Sequence, residues 1–260
     1  MLGINTTHLG AAELISIATG DYPPWTSREE SSGGVLHRII NAAFALEGVD
    51  VEYAYYPWAR SYLNAKIGRY QAASYWACSV ERQRDFICSD ALFEEDTVFF
   101  HLKNREFKSW NNLGELSQYK IGATQEYTYS KAFWDAARLN RLHVFVVQKD
   151  EQNFHLLLNG RIDLFPMGRL AGFALLHREF SPEQRVLFSH TVKPLIKQSM
   201  HLLFPRATLA NSQRNVMLFN RGLQKLKDDG RYASWLSDVE AQYSGPVASP
   251  EVDATAKSIP

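Results

Sequence analysis

The chain has 260 residues, 28 basic and 28 acidic side chains, a formal net charge of zero and 45% hydrophobic residues. That is enough for one large domain or two of about 100 to 130 residues. The balanced charge argues against a basic nucleic-acid-binding face, and no stretch reaches the roughly 18 apolar residues of a membrane span.

The opening "MLGINTTHLGAAELISI" has neither a basic start nor an apolar h-region. The expectation is a protein that is not exported, or one whose signal peptide is missing, with "LGAAE" as the candidate remnant of a cleavage site. "LISIATG" (14–20) predicts a short buried strand ending in glycine. "DYPPWTS" is a Pro-rich loop. "GGVLHRIINAAFALEG" places Val35, Ile39, Ala43 and Leu46 on one helical face, with Leu36, Ile40 and Phe44 beside them, and stops at Gly48. "VDVEYAYYPW" predicts a strand, "ARSYLNAKIG" a helix ending at Gly68, and "YQAASYWA" another strand. This βαβαβ order predicts an α/β domain with a largely parallel sheet.

Between two strand-like segments lies "CSVERQRDFICSD". Arg82 there is either part of a solvated turn, paired with Asp85 at i, i+3, or a fixed cation awaiting an anionic ligand. Cys78 and Cys88 are ten residues apart, which favours neither a redox C-x-x-C nor zinc. They are either a disulfide closing a short loop or two small buried apolar residues.

The second half repeats the grammar: "YKIGATQ" strand, "YSKAFWDAARLN" helix, "LHVFVVQ" strand, "EQNFHLLLNG" helix, "RIDLFPM" strand. "SYLNAKIGRYQAASY" and "HLLLNGRIDLFPM" echo one another, which predicts two related α/β lobes rather than a repeat array. Val216, Phe219, Leu223 and Leu226 are in helical register. Gly230 breaks that helix, and Tyr232, Trp235, Leu236 and Val239 mark a last short one. "SGPVASPEVDATAKSIP" (244–260) reads as a disordered tail.

No phosphate-cradling loop, dinucleotide fingerprint, nucleophile elbow or zinc spacing occurs. Neither a cofactor nor a metal is expected. No spacing selects an acid–base pair either, so the expectation is a protein that is not an enzyme.

"IATGDYPPWTS", "GVLHRIINAAFALEG", "PWARSYLNAKIGRYQAA", "SVERQRDFICSDALFEED", "GRIDLF" and "LQKLKDDGRYASWLSDV" follow one another over residues 14 to 243. In that order they resemble the bacterial extracellular solute-binding proteins of family 3, the polar amino-acid-binding components of ABC transporters. The resemblance implies a type II periplasmic binding protein fold, in which two α/β lobes joined by two crossover strands close over a ligand. Lobe one would be 14–100 plus 199–243 and lobe two 101–198, with an N-terminal extension at 1–13. The crossovers would fall near "FFHLKN" and "IKQSMHLLF".

The family's T-x-E-R segment, whose arginine pairs the ligand's carboxylate, corresponds to Ser79-Val80-Glu81-Arg82. A guanidinium offers a carboxylate two parallel hydrogen bonds. Ser79 would cap the turn and leave backbone N–H groups facing the anion. Tyr22 matches the aromatic that packs on the ligand, with Trp25 just beyond it. Trp58 matches a tryptophan of the family's W-D-G segment. Tyr75, Trp76 and Ala77 lie where the family offers backbone and hydroxyl contacts. Glu126, Tyr127 and Thr128 occupy its G-T-T region.

The resemblance departs at one point. Amino-acid binders carry an acid five residues after the Asp of the G-x-[IFYL]-D segment, where it pairs the ligand's ammonium. Here that Asp is Asp163, and Gly168 followed by Arg169 stands in the acid's place. Arg169 as a second cation would suit a ligand other than a standard α-amino acid. Glu126 is the alternative ammonium partner.

The resulting expectation is a monomeric periplasmic protein that passes a small, polar, carboxylate-bearing ligand to an ABC transporter permease. The alternatives are a same-fold enzyme, such as a cyclohexadienyl-dehydratase-like lyase, and a ligand sensor.

Overall fold

The computed structural model describes residues 13–243 apart from Glu106 and Lys108. The expected N-terminal extension, cleavage remnant and C-terminal tail lie outside the described residues, except that Glu13 opens the first strand.

In chain order the elements begin β1 (Glu13–Thr19), α1 (Val35–Ala45), β2 (Val49–Tyr55), α2 (Trp58–Lys66), β3 (Ala72–Ala77), β4 (Phe86–Cys88) and β5 (Phe93–Leu102). Then come β6 (Lys120–Thr124), α3 (Lys131–Arg138), β7 (His143–Val147), α4 (Asp150–Leu158), β8 (Phe165–Gly168) and α5 (Arg169–Glu179). The last are α6 (Pro182–Arg185), β9 (Phe188–His190), β10 (Ile196–Pro205), α7 (Leu209–Asp228) and α8 (Arg231–Tyr243).

The chain forms two compact units. Among the described residues the first comprises 13–93 and Ser199–Ser237, and the second Glu94–Gln198 and 238–243. The chain therefore changes unit inside β5, again inside β10, and a third time inside α8.

In unit one, β1 pairs in parallel with β2, Glu13 opposite Val49 through Thr19 opposite Tyr55, and with β3 through Ile17 and Ala18. β10 runs antiparallel to β3 and to β4. Parallel strands covered by helices need apolar residues in close succession, and Ile15, Ile17 and Ala18 are all buried. α1 buries Val35, Leu36, Ile39, Ile40, Ala43 and Phe44, and α7 buries Phe219, Leu223 and Leu226. The two helices approach closely. A Cβ at Gly222 would stand 2.0 Å from the Ala43 carbonyl oxygen, so only glycine fits without moving backbone.

In unit two, β6 and β7 are parallel, while β5 runs antiparallel to β8 and β9. Its core is largely aromatic. Phe100, Phe165 and Phe188 each meet Phe154 edge-to-face at 5.2–5.3 Å, the arrangement ring quadrupoles favour. Phe99, Phe133, Leu116, Ile121 and Leu164 form a second buried cluster.

No helix among the described residues is long and apolar enough to cross a membrane.

Candidate functional site

In unit one the loop after β1 is clamped to the start of α1. The Val35 and Leu36 N–H groups, which a helix start leaves without partners, donate to the Pro24 and Trp25 carbonyls at 3.0 and 2.9 Å. Gly34 makes this possible: its φ is 88°, and a Cβ there would meet the Trp25 carbonyl oxygen at 2.7 Å. Tyr22 and Trp25 are thereby fixed, both buried.

β3 carries the next residues. Its register against β10 shifts between His201 and Leu203, so β3 fits one residue more than its partner. Tyr75 sits in that bulge with φ 65°, a left-handed conformation that side-chain-bearing residues rarely adopt. Such backbone costs of order 1–3 kcal/mol and collects at functional sites. The bulge aims Tyr75 at Tyr22 (5.3 Å between ring centroids), Trp58 (5.8 Å) and Phe93 (5.9 Å). Phe93 stacks on Trp25 at 3.9 Å. Trp58, at the start of α2, meets Trp76 edge-on at 5.7 Å and occupies the space a Cβ at Gly20 would need. Tyr22, Trp25, Trp58, Tyr75 and Trp76 thus belong to one aromatic cluster. Sequence reasoning missed Phe93, which resembles any other residue of an apolar run, and Tyr62, which meets Trp76 at 5.3 Å.

Cys78 and Cys88 are joined by a disulfide, with Cα atoms 6.1 Å apart. The loop it closes holds a short 3₁₀ turn, Arg82–Arg84. Ser79 Oγ accepts the Arg82 N–H at 3.2 Å; that N–H is spent on the turn itself. The Arg82 guanidinium donates to the Ala77 carbonyl at 2.9 Å and lies over the Trp76 ring, 4.8 Å from its centroid. It is half-buried and has no ion-pair partner among the described residues. Asp85, the acid at i+3, pairs with Lys66 at 2.8 Å. Burial pushes the Arg82 pKa below its ordinary value, while Tyr62 and Glu81 pull it back up; the group stays cationic. Beside it the Trp76 indole N–H is buried without an acceptor among the described residues.

In unit two the carboxyl ends of the parallel strands β6 and β7 meet the start of α4, the edge of a parallel sheet where ligands commonly bind. Asp150, the first residue of α4, accepts hydrogen bonds from Thr124 Oγ1 at 2.5 Å and Tyr127 Oη at 2.6 Å. Tyr129 Oη accepts the Thr124 N–H at 2.9 Å, and the Tyr127 carbonyl accepts from Trp134 Nε1 at 3.0 Å. Burial raises the Asp150 pKa, and the Thr124 and Tyr127 hydroxyls partly offset it. Tyr127 is therefore held by its hydroxyl and its carbonyl. Glu126 and Thr128 on either side are exposed, Glu126 with φ 67°. Asp150 was not legible as a site residue, because its partners lie 23 and 26 positions away.

Gly168 pairs with Thr97 across β8 and β5 and caps α5. Arg169 donates from Nη2 to both Glu240 carboxylate oxygens, at 2.7 and 3.0 Å. Asp163 accepts from the Lys120 N–H at 2.9 Å and lies 3.4 Å from Arg105.

No family model and no curated protein matches the sequence. Solved structures do match. A mutant of ArgBP from T. maritima is similar with a TM-score of 0.68 and 14% identity over 88% of this chain and 95% of its own. A histidine kinase sensor domain with similarity to periplasmic binding proteins gives 0.70 and 16% over 91% and 98%. An ancestral amino acid-binding protein, a precursor of cyclohexadienyl dehydratase, gives 0.65 and 15% over 88% and 94%. At these identities the likeness shows the fold: the chain has the type II periplasmic binding protein fold, two α/β lobes joined by crossover strands.

Proposed function

We propose that the protein is a periplasmic solute-binding protein that captures a small, polar, carboxylate-bearing ligand by hinge closure and delivers it to an ABC transporter permease. One observation carries this reading. Arg82 is a cation held in place by neutral groups, the Ala77 carbonyl and the Trp76 ring, while Asp85, three residues on, is committed to Lys66. A guanidinium so placed keeps its fork for a carboxylate. The Trp76 N–H, buried without an acceptor among the described residues, adds a donor that a ligand oxygen would satisfy. Tyr22, Trp25, Trp58 and Tyr75 give the ligand's body an apolar wall in unit one.

A second reading, ligand sensing, draws on the likeness to the histidine kinase sensor domain; it changes the partner and leaves the binding chemistry as it is. A same-fold enzyme is the third reading, drawing on the likeness to a precursor of cyclohexadienyl dehydratase.

The test is a thermal-shift screen over amino acids, dicarboxylates, sugar acids and small peptides. A ligand at about 100 times its Kd should add roughly 2.7 kcal/mol of stability. Stabilisation only by uncharged sugars would overturn the reading.

A further inference from the structure

β2 in unit one and β7 in unit two are both sheet edges. Each pairs in parallel with one neighbour, and among the described residues no strand pairs with its other side. An edge offers its N–H and C=O groups to any extended chain, and proteins commonly blunt it with charges. β2 is blunted, since its exposed residues are Asp50 and Glu52. β7 is not. It runs His-Val-Phe-Val-Val, without an acid, a lysine or an arginine, and Phe145 and Val146 are 49% and 53% exposed. Successive side chains point to opposite faces, so β7 is bare on both.

The backbone and the flanking charges say what fits there. The Val147 carbonyl accepts the Gln125 N–H at 2.8 Å, so Val147 turns its backbone groups towards β6. Val144 and Val146, out of phase with it, turn theirs to the open side. At the amino end of β7, His143 is exposed and stands opposite Lys120, with exposed Arg141 two residues earlier. Neither Lys120 nor Arg141 has an ion-pair partner among the described residues. At the carboxyl end, Lys149 is paired with Glu151 at 3.4 Å, and Glu126, on the loop after β6, is exposed. The edge is thus apolar in its middle and positive at its amino end only. A second copy of the chain fits it poorly. Antiparallel pairing of two β7 strands through Val144 and Val146 sets Arg141 opposite Lys149 at both ends, and like charges directly opposite destabilise a pair.

We infer that β7 is a strand-addition site for an extended segment of another protein, one with β-branched residues at its centre and acidic residues at the end that lies beside His143. Main-chain hydrogen bonds to Val144 and Val146 hold the added strand, and the exposed Phe145 and Val146 side chains pack on its own. Lys120 and Arg141 fix its direction, because only one orientation brings the acids to the positive end. The surface belongs to unit two alone and does not depend on the carboxylate reading of Arg82.

The probes are short dye-labelled peptides of alternating Val and Thr that carry a pair of Glu residues at the amino end or at the carboxyl end, with binding to the full chain read by fluorescence anisotropy. One of the two should bind at least tenfold tighter than the other, and at least tenfold tighter than its own version with Lys in place of Glu. N-methylation of alternate amides in that peptide should weaken it at least tenfold, which an attraction between charges alone would not do. Arg141→Glu should weaken it to a similar degree. So should Val146→Pro, which removes an outward N–H at an edge where proline is tolerated; if that variant melts early, the N-methylated peptide on native protein decides the same point. Glu52→Gln, on the blunted edge of unit one, should leave binding unchanged. Equal binding of the Glu and Lys peptides overturns the acidic partner, and affinity untouched by Arg141→Glu and by N-methylation overturns the site. Failure of both Glu peptides to bind overturns it too, and binding that appears only on a chain ending at Tyr243 assigns the edge to residues 244–260 instead. A dimer in sedimentation that Val146→Glu abolishes would assign β7 to a second copy and overturn the inference.

Discussion

Arg82 in unit one and Arg169 in unit two both follow a strand and open a helical turn, yet their surroundings differ in kind. Arg82 is held by a carbonyl oxygen and an indole ring; Arg169 is held by the Glu240 carboxylate. The neutral partners orient a guanidinium and leave its charge for something else. The carboxylate orients it and uses the charge up. What an arginine can do is thus decided by what it touches, and two arginines of equal prominence in a sequence read as opposites in the fold.

The largest effect that would break this contrast is on binding. Arg82→Ala should cost about 2–5 kcal/mol of affinity for the tightest ligand of the screen, as truncating one partner of a buried charge pair does. Arg82→Lys should recover only part, because the fork is lost. Arg169→Ala should cost less than about 1 kcal/mol, the scale of a partly exposed ion pair. Calorimetry showing equal losses at the two positions would erase the distinction.

The next effect is on the scaffold of Arg82. Its turn lies inside the loop closed by Cys78 and Cys88, whereas Arg169 starts a regular helix. Replacing both cysteines by serine should lower the unfolding free energy by about 2–3 kcal/mol on the loop-entropy account. It should also weaken ligand binding by loosening the turn. Denaturant unfolding with and without reductant measures the first change. Native protein indifferent to reductant would show that the bond adds nothing to the turn.

The smallest effect sharpens the paired side of the contrast. Glu47 in unit one accepts from Arg221 Nε at 2.6 Å and Lys225 at 2.8 Å. Those hydrogen bonds lower its pKa to about 2, against burial, which raises it. A depressed folded pKa contributes stability that is present above the ordinary value of 4.5 and is lost as pH falls towards and through about 2. The melting temperature of native protein should therefore fall more steeply over that window than that of Glu47→Gln. Parallel curves would mean that the two cations do not hold Glu47.

Much of unit one was legible because its signals are local. β1, α1, β2, α2 and β3 each carry a burial pattern or a glycine stop that can be read within a dozen residues. α5 went unread for the opposite reason. From Leu170 to Leu176 every residue is buried, so no polar stripe gives it a helical period. β4 and β9 are three residues each, too short for any alternation to register.

The candidate site divides in the same way. Arg82, Tyr22 and Trp58 stood out by motif and order. The bulge at Tyr75 could not be read, since a tyrosine gives no hint of φ 65°. The engagement of Arg169 by a glutamate 71 positions on, and of Tyr127 by Asp150, depends on contacts made only once the chain is folded.

The stacking of Arg82 on Trp76 gives the protein a built-in optical reporter. An indole's emission depends on the electric field across its rings, and a guanidinium 4.8 Å from the ring centroid is a large fixed source of that field. An anion that draws the guanidinium away, or neutralises it in place, changes the colour and yield of Trp76 emission without any attached dye. Titrating the unlabelled protein while following its fluorescence then reports occupancy of the cation directly, with Trp76→Phe as the variant in which that signal should vanish.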